Sequence, residues 1–325
     1  MLKIFKDITT LIKLKINEKR LNKIFFIENE NIYYYLKDYI SKRAIVLFLN
    51  KPNFILKKNF YYFEKQFFKE FYFYLLNFKY FYTSTPNIGE NICKKSLYKK
   101  TKYIYLQHSP VGLISAYNGK AFVNFDCVQA INKSQYHDGL IINKHFRKKI
   151  KFFKSRYKFI KNFKKNNQKK ITLIAPTWGT DFYKDNFISK LIKILKNNNI
   201  KFLFRPHPMS IKKNEFDLKI LNEFKDNLYN DPYLDFNKFD NLISDWSGII
   251  IEFLKINHKS PILIKTKFKN NNEIITNYRS NSFEYFINDQ IENKYNKNEL
   301  NKVPILIKSN KLNNVSGIDF EELFF

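Results

Sequence analysis

Short apolar runs, each closed by a polar or proline-containing turn, alternate along this chain with longer stretches of helical period, and that alternation permits few folds. It is the pattern of βαβ units, in which a run too short for a helix becomes a strand of a parallel sheet and the stretch after it carries the chain back to the same edge. Strands are expected at 23–26, 44–49, 80–83, 103–107 and 127–131 in the first half, and at 171–175, 202–204, 241–244 and 262–265 in the second. Helices are expected at 187–197, 211–224 and 247–256, and no internal repeat is visible. The fold class that follows is α/β with mostly parallel sheets. At 325 residues, 44% of them hydrophobic, the chain is long enough to divide its core between two domains, expected at 1–150 and 151–325.

The formal net charge is +29, far more than solubility requires, so an anionic partner is expected. The charge is densest at 144–170, which holds thirteen lysines and arginines, several aromatics and no acidic residue. This stretch is read as the domain boundary: either a solvated helix with a linker, or an amphipathic basic surface that docks on anionic headgroups. No nucleic-acid-binding module accompanies it, so nucleic acid is not an expected partner. Two cysteines, Cys93 and Cys127, cannot form a disulfide framework, and a reducing, cytoplasmic setting fits them. The first twenty residues carry a charge every few positions and do not read as a secretory signal, and no run of about 18 apolar residues is present to span a bilayer. Any contact with a membrane is therefore expected to be peripheral.

Chemistry is written where strands end, because ligands of open α/β sheets bind beyond the carboxyl ends of the strands. Four apolar runs close in distinctive residues: Gln107-His108-Ser109-Pro110, Ala175-Pro176-Thr177-Trp178, Arg205-Pro206-His207-Pro208 and Ser244-Asp245-Trp246-Ser247-Gly248. All four are expected to face one cleft. Arg205 and His207 stand at i and i+2, so in extended chain they project to one side and form a cationic fork for a diphosphate. Ser247 is placed to N-cap the following helix, whose free N–H groups suit an anion, and Gly248 would let a phosphate approach the backbone. Glu252, in the first turns, either complements the helix dipole or accepts from ribose hydroxyls. His108, with the ordinary imidazole pKa near 6.5, is suited to take a proton from an attacking hydroxyl. His137, His145 and His258 have no such setting. No Asp-x-Asp motif or Cys/His cluster marks a dedicated metal site, although a diphosphate donor commonly travels with Mg²⁺.

Taken in order, His108-Ser-Pro, Ala175-Pro-Thr-Trp178, Arg205-Pro-His-Pro208 and Ser244-Asp-Trp-Ser-Gly248 with Glu252 resemble the CDP-glycerol glycerophosphotransferases of teichoic-acid type. Thr83-Ser-Thr-Pro86 with Gly89, and the stretch 117–126 (Y-N-G-K-A-F-V-N-F-D), add to the likeness, which runs over roughly 23–265. The resemblance implies a GT-B fold of two facing Rossmann-like domains, residues 1–150 on the acceptor side and 151–325 on the nucleotide-donor side. It implies that His108 is the catalytic base, that Arg205 and His207 bind the donor phosphates with His207 also serving the chemistry, and that Thr177, Ser244, Asp245, Ser247, Gly248 and Glu252 line the donor site. The family often has His-Gly-Thr followed by Lys where this chain has His108-Ser109-Pro110, a departure on the acceptor side. The His-Pro pair before a serine-rich helix start also looks like bacterial sialyltransferases, which take a cytidine monophosphate donor.

The expected activity is transfer of glycerol-phosphate, or a similar polyol-phosphate, from a CDP-activated donor to a hydroxyl of a membrane-anchored glycan or polymer at the inner face of the cell membrane. Two alternatives stand beside it: a GT-B glycosyltransferase using a CMP- or UDP-sugar, separable by which nucleotide is released, and a non-catalytic polyanion-binding protein, recognisable by a steep salt slope without turnover.

Overall fold

The computed structural model describes every residue except 1, 19, 91–92, 160–170, 218, 268–282 and 310–323. The chain forms two compact units: Met1–His108 with Tyr117–Phe159 and Phe324–Phe325, and Ser109–Ala116 with Ile160–Leu323.

The first unit is built on seven strands: β1 (Lys23–Ile27), β2 (Ile45–Phe48), β3 (Phe60–Tyr62), β4 (Tyr80–Thr83), β5 (Lys102–Tyr105), β6 (Cys127–Ala130) and β7 (Lys151–Lys154). They lie in the order β3-β2-β1-β4-β5-β6-β7, and every neighbouring pair is parallel. β1 and β2 are buried almost throughout, as continuous aromatic and β-branched runs are when both faces of a parallel sheet are covered. The helices of this unit are α1 (Leu2–Glu18), α2 (Glu30–Leu36) and α3 (Gln66–Leu75). A single turn, α4 (Leu113–Ala116), lies in the segment that clusters with the second unit, and α5 (Lys133–Phe146) leads into β7. Asn29 and Asn132 start α2 and α5 by accepting the backbone N–H groups of Ile32 and Gln135, at 3.1 and 2.8 Å.

The second unit has five strands: β8 (Thr172–Ile174), β9 (Phe202–Phe204), β10 (Asn241–Ser244), β11 (Ile262–Ile264) and β12 (Lys294–Tyr295), all parallel in the order β12-β11-β10-β8-β9. Around them run α6 (Phe187–Asn197), α7 (Pro208–Lys212), α8 (Lys219–Glu223), α9 (Ile249–Asn257), α10 (Phe283–Gln290) and α11 (Lys302–Ser309). α6 buries Phe187, Ile188, Leu191, Ile192 and Leu195, one helical face, against Phe202, Phe204 and Ile243. Each of those side chains contributes about 1.5–3 kcal/mol relative to an exposed position.

Both sheets are doubly wound. Strand order reverses between β1 and β4 in the first and between β8 and β10 in the second, and crevices for ligands open beyond the carboxyl ends of strands at such reversals.

The expected strands are all present within a residue or two, and the α/β class with two mostly parallel sheets holds. Three strands lay outside the expectation, β3, β7 and β12. β7 falls inside the basic stretch and past residue 150. Its Lys-Phe-Phe-Lys sequence forms the edge of the sheet, with Phe152 buried and Lys151 and Lys154 exposed, which discourages edge-to-edge pairing. Part of the basic stretch is thus sheet rather than helix or linker. Tyr157 and Phe159 are buried, and its remainder, 160–170, lies outside the described residues.

The expected helix at 211–224 is split into α7 and α8. Asn214, at φ 51°, ends the first turn in the left-handed region, and Phe216 drops into the core.

Candidate functional site

β8 and β10 flank the reversal of the second sheet, and the chain leaving each of them is held by one carboxylate. Asp245, directly after β10, is buried. Its Oδ1 accepts the Thr177 N–H at 2.8 Å, and its Oδ2 accepts the hydroxyls of Thr180 at 2.7 Å and Thr266 at 3.3 Å. The loops after β8, β10 and β11 are therefore tied together at one point. Burial raises the Asp245 pKa to about 6 against the opposing pull of these hydrogen bonds. The void bordered by Asp245, Trp246 and Ser247 is only about 10 Å³, about one water's worth. Asp245 is a strut of the site rather than part of its open surface.

Ser244 is the last residue of β10. It is fully buried, and its hydroxyl donates to the Ala175 carbonyl at 2.6 Å, locking the end of β10 to the end of β8. The loop after β8 turns at Gly179, whose φ of 74° favours glycine, and both carboxylate oxygens of Glu215 accept the Gly179 N–H at 2.9 and 3.0 Å. This bond explains the split between α7 and α8: Glu215 is turned back to hold the loop that carries Thr177 and Trp178.

Arg205 and His207 follow β9, the neighbour of β8. The Arg205 guanidinium lies 5.4 Å from the centre of the Tyr229 ring, with Nη1 3.5 Å from the Asp231 carbonyl. His207 caps α7: its Nδ1 accepts the Met209 N–H at 3.1 Å, which places the ring proton on Nε2. The ring lies 6.3 Å from that of Trp178, and Lys213 Nζ sits 4.2 Å from the Trp178 ring centre. Both side chains are half-buried at the strand ends. Their supports differ, Tyr229 for one and the α7 start for the other.

The start of α9 departs from expectation in two ways. Gly248, not Ser247, occupies the cap position, and Ser247 stands one residue upstream with its Oγ 3.5 Å from the Ile249 N–H. The first turn begins early, since the Ser247 and Gly248 carbonyls already accept from Ile250 and Ile251. Gly248 is required by packing: a Cβ there would stand 2.7 Å from Val111 Cγ1 and collide with the Ser109 hydroxyl. The segment 109–116 lies against α9 and α10, and its Ser115 hydroxyl donates to Glu284 Oε1 at 2.8 Å. The glycine admits the protein's own Ser109-Pro110-Val111 turn, where the sequence suggested a phosphate. Glu252 is buried on α9.

His108 belongs to the first unit and is its last residue before that segment. The chain end it occupies is pinned by Gln107, whose N–H and Nε2 donate to Gln129 Oε1 and O, both at 2.9 Å, tying β5 to β6. Its carbonyl accepts the Tyr157 hydroxyl at 3.1 Å, and its ring stands edge-on to Tyr35 at 6.4 Å. Its Nδ1 is buried without a hydrogen-bond partner, and burial pushes its pKa down to about 4. The imidazole is thus neutral at physiological pH, with one nitrogen uncommitted.

Thr180, Glu215 and Thr266 are supports that the sequence reading missed. Only Thr180, three residues past Thr177, lay close enough to a motif to be noticed. Elsewhere in the first unit, one sheet face carries a cavity of about 420 Å³ lined by Phe25, Tyr82, Leu106, Gln129 and Phe153, among others. Among the described residues no group of three or more His, Cys, Asp or Glu could hold a metal ion. No helix there is long and apolar enough to cross a membrane.

Two doubly wound parallel sheets, one with its strand-end loops gathered around a buried carboxylate at the reversal point, define an open α/β protein of the kind whose ligands bind beyond the carboxyl ends of the strands. Residues 151–290 match the family model of the CDP-Glycerol:Poly(glycerophosphate) glycerophosphotransferases, which makes the chain an enzyme of transferase type. The match takes in Thr177, Arg205, His207 and 244–252, and begins after His108. No curated protein matches the chain. Solved structures that resemble it include the UDP-N-acetylglucosamine 2-epimerase of Rickettsia bellii, at 12% identity and a TM-score of 0.46, covering 77% of this chain and 80% of that one. An E. coli heptosyltransferase WaaC, with ADP-2-deoxy-2-fluoro heptose, aligns at 10% identity and 0.36 over 89% and 99% of the two chains. TarM aligns at 15% identity and 0.35 over 87% and 51%. Likeness at this level carries nothing about chemistry.

Proposed function

We propose that the chain transfers glycerol-phosphate, or a similar polyol-phosphate, from a cytidine-diphosphate donor to a hydroxyl of a membrane-anchored glycan or polymer, working from the cytoplasmic face. The second unit is the donor side and the first the acceptor side of a GT-B enzyme. One observation carries the reading: within the stretch that matches the glycerophosphotransferase family, β8, β9 and β10 end side by side in Thr177, Arg205 with His207, and Ser247.

In this scheme His108 takes the proton of the acceptor hydroxyl. The oxygen attacks the phosphorus that bears the glycerol and a new P–O bond forms. The P–O bond to the bridging oxygen breaks, and CMP leaves with the electron pair. Arg205 and the His207 Nε2–H meet the charge that gathers on the leaving phosphate. Tyr229 supports the Arg205 guanidinium and the start of α7 holds the His207 ring, so those donors are held before the substrate arrives.

Arg205→Ala is expected to weaken CMP or CDP binding by about 1.5–3 kcal/mol, the value of a lost charge-assisted hydrogen bond, and to slow CMP release from CDP-glycerol. Calorimetric titration of the variant checks this, and unchanged affinity removes Arg205 from the donor site.

A further inference from the structure

α1 is amphipathic with the apolar side facing out. Leu2, Phe5, Ile12 and Ile16, with Thr9 between them, recur at helical spacing on one stripe and are 89%, 68%, 54% and 60% exposed. The side that meets the protein is tied down by polar groups. Asp7 is buried and accepts the backbone N–H groups of Glu64 and Lys65 ahead of α3, at 2.7 and 2.9 Å. Asn17 donates to the Tyr61 hydroxyl at 2.9 Å, and Lys15 donates to the Leu75 carbonyl. The helix is therefore fastened with its greasy stripe outward. α3, which packs on α1, adds exposed Phe67, Phe71 and Tyr74 at i, i+4 and i+7, the first two with stacked rings.

Exposed large apolar groups gathered in this way mark a binding surface. Its charge selects the partner. Lys3 and Lys13 are exposed on α1, while the acidic residues of that helix are withdrawn, Asp7 into the core and Glu18 into a pair with Lys15 at 2.7 Å. A second copy of a chain with net charge +29 would bring lysines against lysines, whereas an anionic bilayer offers apolar depth for the stripe and negative headgroups for its flanks.

We infer that the α1–α3 face seats the protein on an anionic membrane by inserting Leu2, Phe5, Ile12, Ile16 and Phe67 at the headgroup boundary. This inference supplies the surface for the membrane part of the function proposed above and is independent of the transfer chemistry. Flotation of the full chain with phosphatidylcholine vesicles, with and without phosphatidylglycerol, tests it. Wild type floats with the anionic vesicles and keeps a bound fraction at about 1 M salt, where the Debye length is only about 3 Å. The double substitution Ile12→Asp with Ile16→Asp lowers partitioning by roughly tenfold to a hundredfold. Both positions are solvent-exposed, so the unfolding midpoint and calorimetric nucleotide binding are expected to match wild type. Undiminished flotation of the double variant overturns the inference, as does complete release of wild type at high salt. A fall in solution molar mass without loss of vesicle binding also overturns it and assigns the face to self-association. Wild type that floats with anionic vesicles but turns over no CDP-glycerol would count against the proposed chemistry and leave the docking face standing.

Discussion

His108→Ala is expected to lower turnover by roughly 10² to 10⁴ while leaving nucleotide affinity nearly intact. The imidazole is neutral at physiological pH because desolvation disfavours its charged form, and its buried Nδ1 has no partner to compete for an incoming proton. Nucleotide affinity is spared because the groups assigned to the donor phosphates, Arg205 and His207, stand on a different sheet. Burial lowers the pKa to about 4, so the basic form survives well below the ordinary range and the acid limb of the kcat/KM profile is expected near pH 4 rather than near 6.5. A full pH profile with a verified acceptor measures both. A wild-type rate from His108→Ala removes it as the base. An acid limb still at 6.5 shows a different titrating group.

Asp245→Ala is expected to cost about 1–3 kcal/mol of stability, because it removes the buried acceptor shared by the half-buried Thr177 N–H and the Thr180 and Thr266 hydroxyls. The loss also carries a pH signature. The carboxyl pKa rises from 3.8 unfolded to about 6 folded, so between those values the folded chain holds a proton that the unfolded chain has released. Stability from this group therefore falls as pH rises through that window and is lowest above it. Asp245→Asn keeps an acceptor for the Thr177 N–H and removes the titration, so it should lose less stability than the alanine variant and lack the slope. Denaturant unfolding of the three proteins between pH 4 and 7 gives the comparison. Equal slopes would place the raised pKa elsewhere.

Strands were legible where the chain is apolar on both faces, as in Ile45–Phe48 or Asn241–Ser244, because burial there leaves the sequence little freedom. β7 was hidden because its two lysines face water at a sheet edge and look like part of a charged linker. β3 lies at the opposite edge, in an aromatic-rich stretch whose spacing suits either a strand or a core loop.

The placement of Arg205 and His207 was legible, since both follow a strand directly. Their supports were not. Glu215 reaches back to Gly179, and Gly248 answers to Ser109 and Val111 far away in sequence, so only the folded chain shows why that glycine is there. Residues that looked like ligands by motif, Ser244 and Asp245, are internal ties of the loops that carry Thr177 and Ser247. Sequence shows which strand ends hold polar groups, and packing decides which of those groups stay open.

Calorimetric titration of the intact chain with CMP, CDP, UMP, UDP and ADP tests whether the carboxyl edge of the second sheet holds a cytidine nucleotide, as proposed. The cytidine nucleotides are expected to bind most tightly, and Arg205→Ala to weaken them. Equal affinity across the bases, preference for uridine or adenine, or no binding at all would contradict the proposal.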